Sequence, residues 1–334
     1  MSVDAMLMAV LSDGNVHSGA TLAQRFGITR AAVWKRVARL RTQGVAIAAV
    51  AGSGYRLVQP WQALDRERIL EHLRPGTREL LGQLRLVAST GSTSDDLRAA
   101  ATTLPDLSVL IAEHQSKGRG RRGRSWVSPR GAGLWFSILS KHEGGVGAMA
   151  GLSLAIAVLV AEALERLGAS RIELKWPNDL WHEGRKLAGI LIELAGDWHG
   201  PSTAVIGIGI NVALADASKA SMGQPATDLS GAMGTPPDRN RVMAALLDAL
   251  LSGMAEFRQY GFQSFHERWD ARDALRGRDV FVTGSENASG RAGGIDHEGR
   301  LRVLTPRGSI LVSAGEVSVR TGAGVHATEP ADAV

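Results

Sequence analysis

The segment 113–126 constrains the fold most, because it cannot form a regular helix and lies between two apolar runs. The runs at 107–112 and 133–139 have the composition of strands. Glycine disfavours a helix and lets backbone N–H groups turn toward a ligand. The segment carries three such residues, Gly118, Gly120 and Gly123. The chain is therefore predicted to contain two strands joined by a glycine-rich loop.

The same loop is strongly basic, with five cationic side chains in fourteen residues. Guanidinium groups pair with phosphate or carboxylate oxygens through two parallel hydrogen bonds. Four of the cations are arginines: Arg119, Arg121, Arg122 and Arg124. The pattern indicates an anion clamp, although a solvated basic loop or a nucleic-acid arm fits it as well. For the loop alone, nucleic acid ranks ahead of a nucleotide-like ligand.

Bulk composition narrows the class of protein. A length of 334 residues predicts two or three domains, and a net charge of +5 favours an anionic partner. With no cysteine, disulfides and thiolate metal sites are excluded. The N-terminus lacks the pattern of a signal peptide, and the most apolar segment, 152–163, is too short to cross a bilayer. We expect a cytoplasmic protein without a membrane partner.

Residues 1–62 have the pattern of a winged helix-turn-helix domain. A serine-capped helix at 18–26, a glycine turn and a basic helix at 30–44 follow one another. Two short strands, at 45–49 and 55–57, then form the predicted wing.

The basic helix is the predicted DNA-reading element. Arg30, Trp34 and Lys35 near its start are expected closest to base edges, and Arg36 and Arg39 at phosphates. A protein-interaction module of three helices is the alternative. The order of helix, turn, basic helix and wing favours DNA.

Residues 63–272 predict a larger body that alternates strands and helices. A strand at 84–88 runs into the hydroxyl-rich turn 89–94, which opens a helix. Free N–H groups at such a helix start suit a small polar ligand, although for the turn alone a plain N-cap cluster is the better explanation. The segment 216–235 reads as a long loop and 238–260 as an amphipathic helix.

Three further patterns in this body indicate a ligand site. Pro177 stiffens the corner that carries Lys175 and Asp179, and Lys186 enters the next strand. In the strand 205–211, glycines alternate on one face, where a ligand or another backbone must approach closely. Each has a simple alternative: a surface lysine, a turn aspartate, or tight sheet packing.

The last part of the chain changes to short strands separated by glycine turns. Residues 273–321 predict a small all-β module of five strands. The tail at 322–334 has the Gly, Ala, Thr and Pro content of a disordered segment.

Taken in order, these patterns resemble the biotin–protein ligase family, over roughly residues 5 to 320. The head resembles that of its bifunctional members, which also repress biotin-synthesis genes. The resemblance implies a mixed-sheet, class II synthetase-like biotin/lipoate ligase body and an SH3-like C-terminal barrel. It depends on five sequence features in this order: the Ser92-Thr93 turn, Gly118-Arg-Gly-Arg-Arg-Gly-Arg124, Lys175-Trp-Pro-Asn-Asp179, Lys186-Leu-Ala-Gly-Ile-Leu191 and Gly209-Ile-Asn211.

The resemblance implies two chemical steps. ATP, accompanied by Mg²⁺, activates biotin as biotinyl-5′-adenylate, and biotin then passes to a lysine of a biotin carboxyl carrier protein. Arg119, Arg121 and Lys186 would neutralise the accumulating negative charge, with Lys175 nearby. Asp179 would orient or deprotonate the acceptor lysine. Under this reading the basic loop is a lid over the adenylate.

Ligand contacts are implied for a larger set of residues. For Mg²⁺, the sequence shows no set of side chains that would bind the ion without the nucleotide. The family's usual Asp-Ser-Thr-Asn appears here as Gly91-Ser-Thr-Ser94, so asparagine is replaced by Ser94. The implied contacts with biotin and nucleotide are Ser92, Thr93, Ser94, Gln115, Gly118, Arg119, Gly120, Arg121, Trp126, Lys186, Gly189, Gly207, Asn211 and Arg320.

Partners and alternatives complete the hypothesis. The resemblance implies operator DNA and a ligand-dependent homodimer as partners. Two alternatives remain: a ligand-sensing transcription factor without ligase activity, and a lipoate ligase.

Overall fold

The computed structural model describes residues 3–58, 61–284, 287–314 and 317–321. These residues contain three sheets of two, seven and five strands. The predicted disordered tail at 322–334 lies outside the described residues.

The N-terminal head is a helix-turn-helix followed by a hairpin. Ser18 accepts a hydrogen bond from the backbone N–H of Thr21, and Gly27 ends the second helix with a φ of 63°. The head has a small apolar core of its own. Its elements confirm the predicted order and are α1 (Val3–Leu11), α2 (Gly19–Phe26), α3 (Arg30–Thr42), β1 (Ile47–Val50) and β2 (Gly54–Leu57).

The central body is built on a seven-stranded mixed sheet of order β3-β4-β5-β9-β8-β7-β6. Only the β3–β4 pair is parallel among the described strands. This confirms the predicted α/β body. Its strands are β3 (Leu84–Val87), β4 (Ser108–Ala112), β5 (Gly133–His142), β6 (Glu173–Lys175), β7 (Asp179–His182), β8 (Arg185–Gly196) and β9 (Ser202–Asn211).

Helices cover the sheet. The first four are α4 (Arg66–His72), α5 (Pro75–Leu80), α6 (Thr93–Ala99) and α7 (Leu152–Arg166); α8 (Asp216–Ala220), α9 (Leu229–Met233), α10 (Arg239–Tyr260) and α11 (His266–Asp270) follow.

One face of the sheet forms the main core and the other carries glycines. On β9, Ile206, Ile208 and Ile210 join the core beside α7 and α10, so the residues between them face the opposite side. The helical segment Val146–Arg166 is apolar and long enough to cross a membrane, but it is mostly buried inside the protein. The side opposite the core is therefore the one available to a ligand.

The helix α5 begins at Pro75, because proline suits the first helical position. One prediction about this body was wrong. The predicted loop at 216–235 contains α8 and α9, and Asp228 caps α9 by accepting from the backbone N–H of Gly231. Both short helices were missed because the small residues of this segment show no helical pattern of apolar positions.

The C-terminal module is a five-stranded antiparallel sheet of order β13-β12-β11-β10-β14. All five predicted strands are present. It docks on the central body where the buried indole Nε1 of Trp176 donates to the carbonyl oxygen of Gly299 at 2.9 Å. Its strands are β10 (Asp279–Gly284), β11 (Ala288–Ile295), β12 (Leu301–Thr305), β13 (Gly308–Val312) and β14 (Val317–Thr321).

Candidate functional site

A cleft of about 410 Å³ lies over the glycine-bearing face of the central sheet. The basic loop, the first turn of α6 and the ends of β7, β8 and β9 form its walls. Predicted site residues that line it are Ser92, Thr93, Ser94, Gln115, Arg119, Gly120, Arg121, Trp126, Asp179, Lys186, Gly189 and Gly207. Most of the predicted set is thus brought together in one place.

The floor of the cleft requires glycine. A Cβ atom at Gly209 would lie 2.5 Å from the indole ring of Trp126, and one at Gly189 would lie 2.9 Å from the same ring. Such contacts are far shorter than van der Waals distance, so a side chain at either position must displace Trp126. The alternating glycines therefore let the indole lie directly on the sheet.

Lys186 and Asp179 form an ion pair at the edge of this floor. Lys186 Nζ lies 2.7 Å from Asp179 Oδ1, and their side chains are only 14% and 16% exposed. Lys186 Nζ also lies 5.2 Å from the centroid of the Trp126 ring. A cation held in partly buried surroundings is well placed to meet a phosphate or carboxylate oxygen.

The hydroxyl wall is made by the start of α6. Ser92 caps the helix, and Thr93 and Ser94 are almost completely buried. The backbone N–H of Thr93 donates to Gln115 Oε1 at 2.8 Å. Ser137 on β5 contacts both hydroxyls from behind, although the sequence pattern did not indicate it, since it lies within an apolar strand. The turn is thus more than a cap, because a loop residue and a strand residue order its side chains.

The loop arginines have different partners. Arg119 Nη2 lies 2.7 Å from a carboxylate oxygen of Asp95 and 2.7 Å from one of Glu193. Arg121 donates to the carbonyl oxygen of Ala314 in the C-terminal module at 2.6 Å, and burial lowers its pKa. The loop therefore connects α6, β8 and the C-terminal module around the cleft.

Four predicted residues lie outside the lining of the cleft. Lys175 is stacked on Trp181, with Nζ 4.4 Å from the ring centroid, and its pKa is lowered mainly by burial, against the opposing effect of Asp179. Asn211 is buried and donates to the carbonyl oxygen of Thr227 at 3.0 Å. The other two are Gly118, packed against the Trp126 backbone, and exposed Arg320 on β14.

Residues outside the predicted set of ligand contacts also line the cleft. Asn178 links the corner to β8 by donating to the carbonyl oxygen of Ile190 at 2.7 Å. Gln224 belongs to the segment that was predicted to be a plain loop, and the backbone there pairs with Lys186. The full set of additional lining residues is Arg124, Ser125, Phe136, Asn178, Ile190, Leu191, Ile208, Gly209, Met222, Gly223 and Gln224.

On the head, ion pairing divides the predicted DNA-binding residues into two groups. Arg30, Trp34 and Lys35 are exposed, with Trp34 59% exposed. Arg36 Nη1 lies 2.9 Å from Asp4 Oδ1, and Arg39 pairs with the other oxygen of the same carboxylate. The first group is free of these internal ion pairs, whereas the second also holds α3 against α1.

These features define the class: an α/β body with a cleft lined by arginine and lysine side chains, carrying a helix-turn-helix head. Three family models match it in sequence: an HTH domain at 4–56, the biotin/lipoate A/B protein ligase family at 86–211, and the biotin protein ligase C-terminal domain at 277–320. The order of the three models is the order of the three sheets.

Relatives cover nearly the whole chain. The bifunctional ligase/repressor BirA of Escherichia coli is 38% identical over 96% of this chain and 98% of its own length. The biotin–[acetyl-CoA-carboxylase] ligase of Mycobacterium tuberculosis is 37% identical over 76% of this chain and 98% of its own length. A biotin protein ligase from Aquifex aeolicus in complex with biotin and ATP superposes with a TM-score of 0.63, is 29% identical and covers 72% of this chain and 99% of its own. The chain belongs to the biotin protein ligase family.

Proposed function

We propose that this protein is an ATP-dependent biotin–protein ligase that is also a biotin-responsive transcriptional repressor. It activates biotin as biotinyl-5′-adenylate and transfers it to a lysine of a biotin carboxyl carrier protein, that of acetyl-CoA carboxylase being the expected acceptor. The observation that carries the proposal is the Lys186–Asp179 pair at 2.7 Å, placed between the arginine loop and the glycine floor of one cleft.

The first step brings two anions together. The biotin carboxylate attacks the α-phosphate of ATP, and pyrophosphate leaves. Negative charge on the phosphate is stabilised by cations already held in place, which lowers the barrier without reorganisation of solvent. Lys186, Arg121 and Arg119 all line the cleft and would supply these cations.

The second step forms an amide. The acceptor lysine must lose a proton before its nitrogen attacks the activated carbonyl carbon and AMP leaves. Asp179 orients this amine and accepts its proton, and Lys186 Nζ lies 2.7 Å from its carboxylate. Lys175 lies behind Asp179 on the paired strand and adds positive charge near the phosphate.

Mg²⁺ enters this scheme with ATP. Asp179 is the one acidic side chain among the described residues that line the cleft, and it is paired with Lys186. Phosphate oxygens and water would therefore supply most ligands to the ion, as is usual for Mg²⁺ bound with a nucleotide. The ion would add further charge neutralisation at the phosphates.

Ligand contacts follow from the walls of the cleft. Ser92, Thr93, Ser94 and Gln115 bind the ureido ring, and Trp126 covers the thiophane ring or adenine. Gly118 and Gly120 supply loop backbone, and Gly189, Gly207 and Asn211 shape the floor and its support. Arg320 on β14 would approach the nucleotide from the C-terminal module.

The chain divides into a winged head at 1–62, a catalytic domain at 63–272 and an SH3-like C-terminal domain at 273–321. Antiparallel order β13-β12-β11-β10-β14 supports the last assignment. The exposed side chains of α3 read operator DNA, and the protein acts in the cytoplasm.

A ligand-dependent homodimer is supported by the edge of β8. Within the described residues, β7 pairs with β8 only as far as Gly189, whereas β9 pairs with it to Gly196. Leu194 on this stretch is 42% exposed. An unpaired edge can receive a second strand, and ultracentrifugation with and without biotinyl-adenylate tests the dimer.

Purified protein, Mg-ATP and labelled biotin provide the test of the ligase. Labelled biotinyl-adenylate and labelled carrier protein are the expected products, and their absence would sink the proposal. Adenylate without transfer, or binding without adenylate, would favour a ligand sensor. Calorimetric titration with biotin and with lipoate distinguishes a biotin ligase from a lipoate ligase. Tight lipoate binding without biotin binding would contradict the assignment as a biotin ligase.

A further inference from the structure

A cluster of hydroxyl groups lies behind the wall of the cleft. Ser137 on β5 is 0% exposed, and its Oγ lies 2.7 Å from Thr93 Oγ1 and 3.0 Å from Ser94 Oγ. Thr93 and Ser94 line the cleft, and Ser137 lies behind them. Any effect of Ser137 on a ligand must therefore pass through these two hydroxyls.

A backbone group fixes the direction of the hydrogen bonds in this cluster. The Thr93 N–H can only donate, and it donates to Gln115 Oε1 at 2.8 Å. The amide oxygen of Gln115 must therefore face Thr93. Its nitrogen Nε2 donates to Ser128 Oγ at 3.2 Å, which fits the same orientation. Gln115 Oε1 also accepts from Thr93 Oγ1 at 3.1 Å.

The remaining directions follow from the single proton of each hydroxyl. Because Thr93 Oγ1 donates to Gln115, the hydroxyl of Ser137 must donate to Thr93. Ser94 Oγ must then donate to Ser137. The unused lone pairs of Thr93 and Ser94 are left for the cleft, so both hydroxyls act there as acceptors.

We propose that Ser137 is a positioning residue that makes Thr93 and Ser94 hydrogen-bond acceptors for the N–H groups of a ureido ring. This inference rests on the proposed function, in which biotin supplies that ring. A ureido ring carries two N–H donors, so acceptors on this wall match it. The same hydroxyl explains why residue 207 is glycine. A Cβ atom there would lie 2.6 Å from Ser94 Oγ and displace the hydroxyl.

The test is calorimetric titration of the full chain with biotin and with biotin methylated on a ureido nitrogen. In Ser137→Ala, the Ser94 hydroxyl loses its acceptor and turns its proton toward the cleft. Affinity for biotin should fall roughly tenfold, the effect of one lost hydrogen bond. Affinity for the methylated compound should fall less. The ratio of the two affinities, which measures the preference for biotin, should therefore decrease. Ser137→Thr keeps the hydroxyl and should restore the preference.

Ser140→Ala is the matched control. Ser140 lies on the same strand and is also 0% exposed, but it is bonded to His142 and Arg258 away from the cleft. It should leave the preference for biotin at the wild-type value.

Other outcomes separate this inference from the function on which it rests. If Ser137→Ala weakens both compounds equally, the residue is only structural and the inference is wrong. If circular dichroism shows that this variant is unfolded, Ser94→Ala replaces it, and an unchanged preference there overturns the inference. If the wild-type protein binds no biotin, the proposed function itself is contradicted.

Discussion

The basic loop and helix α3 are both rich in arginine, yet the chain presents these cations in opposite ways. On α3 the backbone is regular, so side chains emerge at a fixed rise of about 1.5 Å per residue. In the loop, Arg122 and Gly123 adopt positive φ values of 58° and 68°. A regular array suits a long polymer with repeated phosphates, whereas a curved backbone directs several cations at one small anion. Backbone stiffness, more than residue type, distinguishes the two functions.

Internal ion pairs hold arginines in both regions, but they connect each region to a different part of the molecule. In the loop, Arg119 is held by Asp95 and Glu193 at the rim of the cleft. On α3, one carboxylate, that of Asp4, holds both Arg36 and Arg39. The loop is thereby fixed to its sheet and α3 to its neighbouring helix, so we expect each region to affect one activity.

The largest effect is expected from Lys186→Ala. Removal of one preorganised charge at a reacting phosphate costs roughly 100- to 1000-fold in rate. Single-turnover formation of biotinyl-adenylate measures it. Lys141→Ala, on β5 outside the cleft lining, is the control and should be near wild type. A near-normal rate in Lys186→Ala would show that this charge is dispensable.

A smaller effect is expected from Gly209→Ala. The new Cβ would meet the indole of Trp126 at 2.5 Å and force it off the floor. Overpacking of this kind weakens binding by roughly tenfold or more. Biotin titration measures it. At Gly76 a Cβ meets no atom within 4 Å, so Gly76→Ala should bind normally. Equal affinities in the two variants would argue against the proposed floor.

The smallest effects are expected on α3, where two neighbours should differ. Lys35→Ala and Arg36→Ala should each weaken operator binding and reduce its salt dependence. Arg36→Ala should also lower the free energy of unfolding by about 1 kcal/mol, because partly buried Asp4 loses a partner. Gel shifts and thermal unfolding measure the two properties. Equal stability of the variants would show that the Asp4 pair contributes little.

Most of the fold could be predicted because local patterns determined it. The starts of α2 and α3 are predicted by their capping residues, Ser18 and Thr29. The strand β9 is predicted by its alternating isoleucines. The short helices α8 and α9 could not be predicted, because small residues carry no apolar periodicity. The Ser92–Ser94 turn was assigned as the ligand-facing one, and these three residues do line the cleft, whereas Ser89 is exposed.

The candidate site was only partly predictable. The sequence did predict Lys186, Asp179 and the basic loop. Their charged residues and glycines differ clearly from the apolar strands on either side. Ser137 does not, since one serine in a buried strand resembles a neutral core position. Met222–Gln224 enters the cleft through strand-like pairing between Lys186 and Ala226, a contact across 40 residues that no local pattern records.

The central claim is that the two arginine-rich regions serve separate anions, and one rate measurement tests it most directly. Biotinyl-adenylate formation should be compared in Arg121→Ala and Lys35→Ala. We predict a fall of roughly 100-fold in Arg121→Ala, which removes a cation from the cleft wall, and a wild-type rate in Lys35→Ala. Equal rates in the two variants, whether both normal or both reduced, would contradict the account.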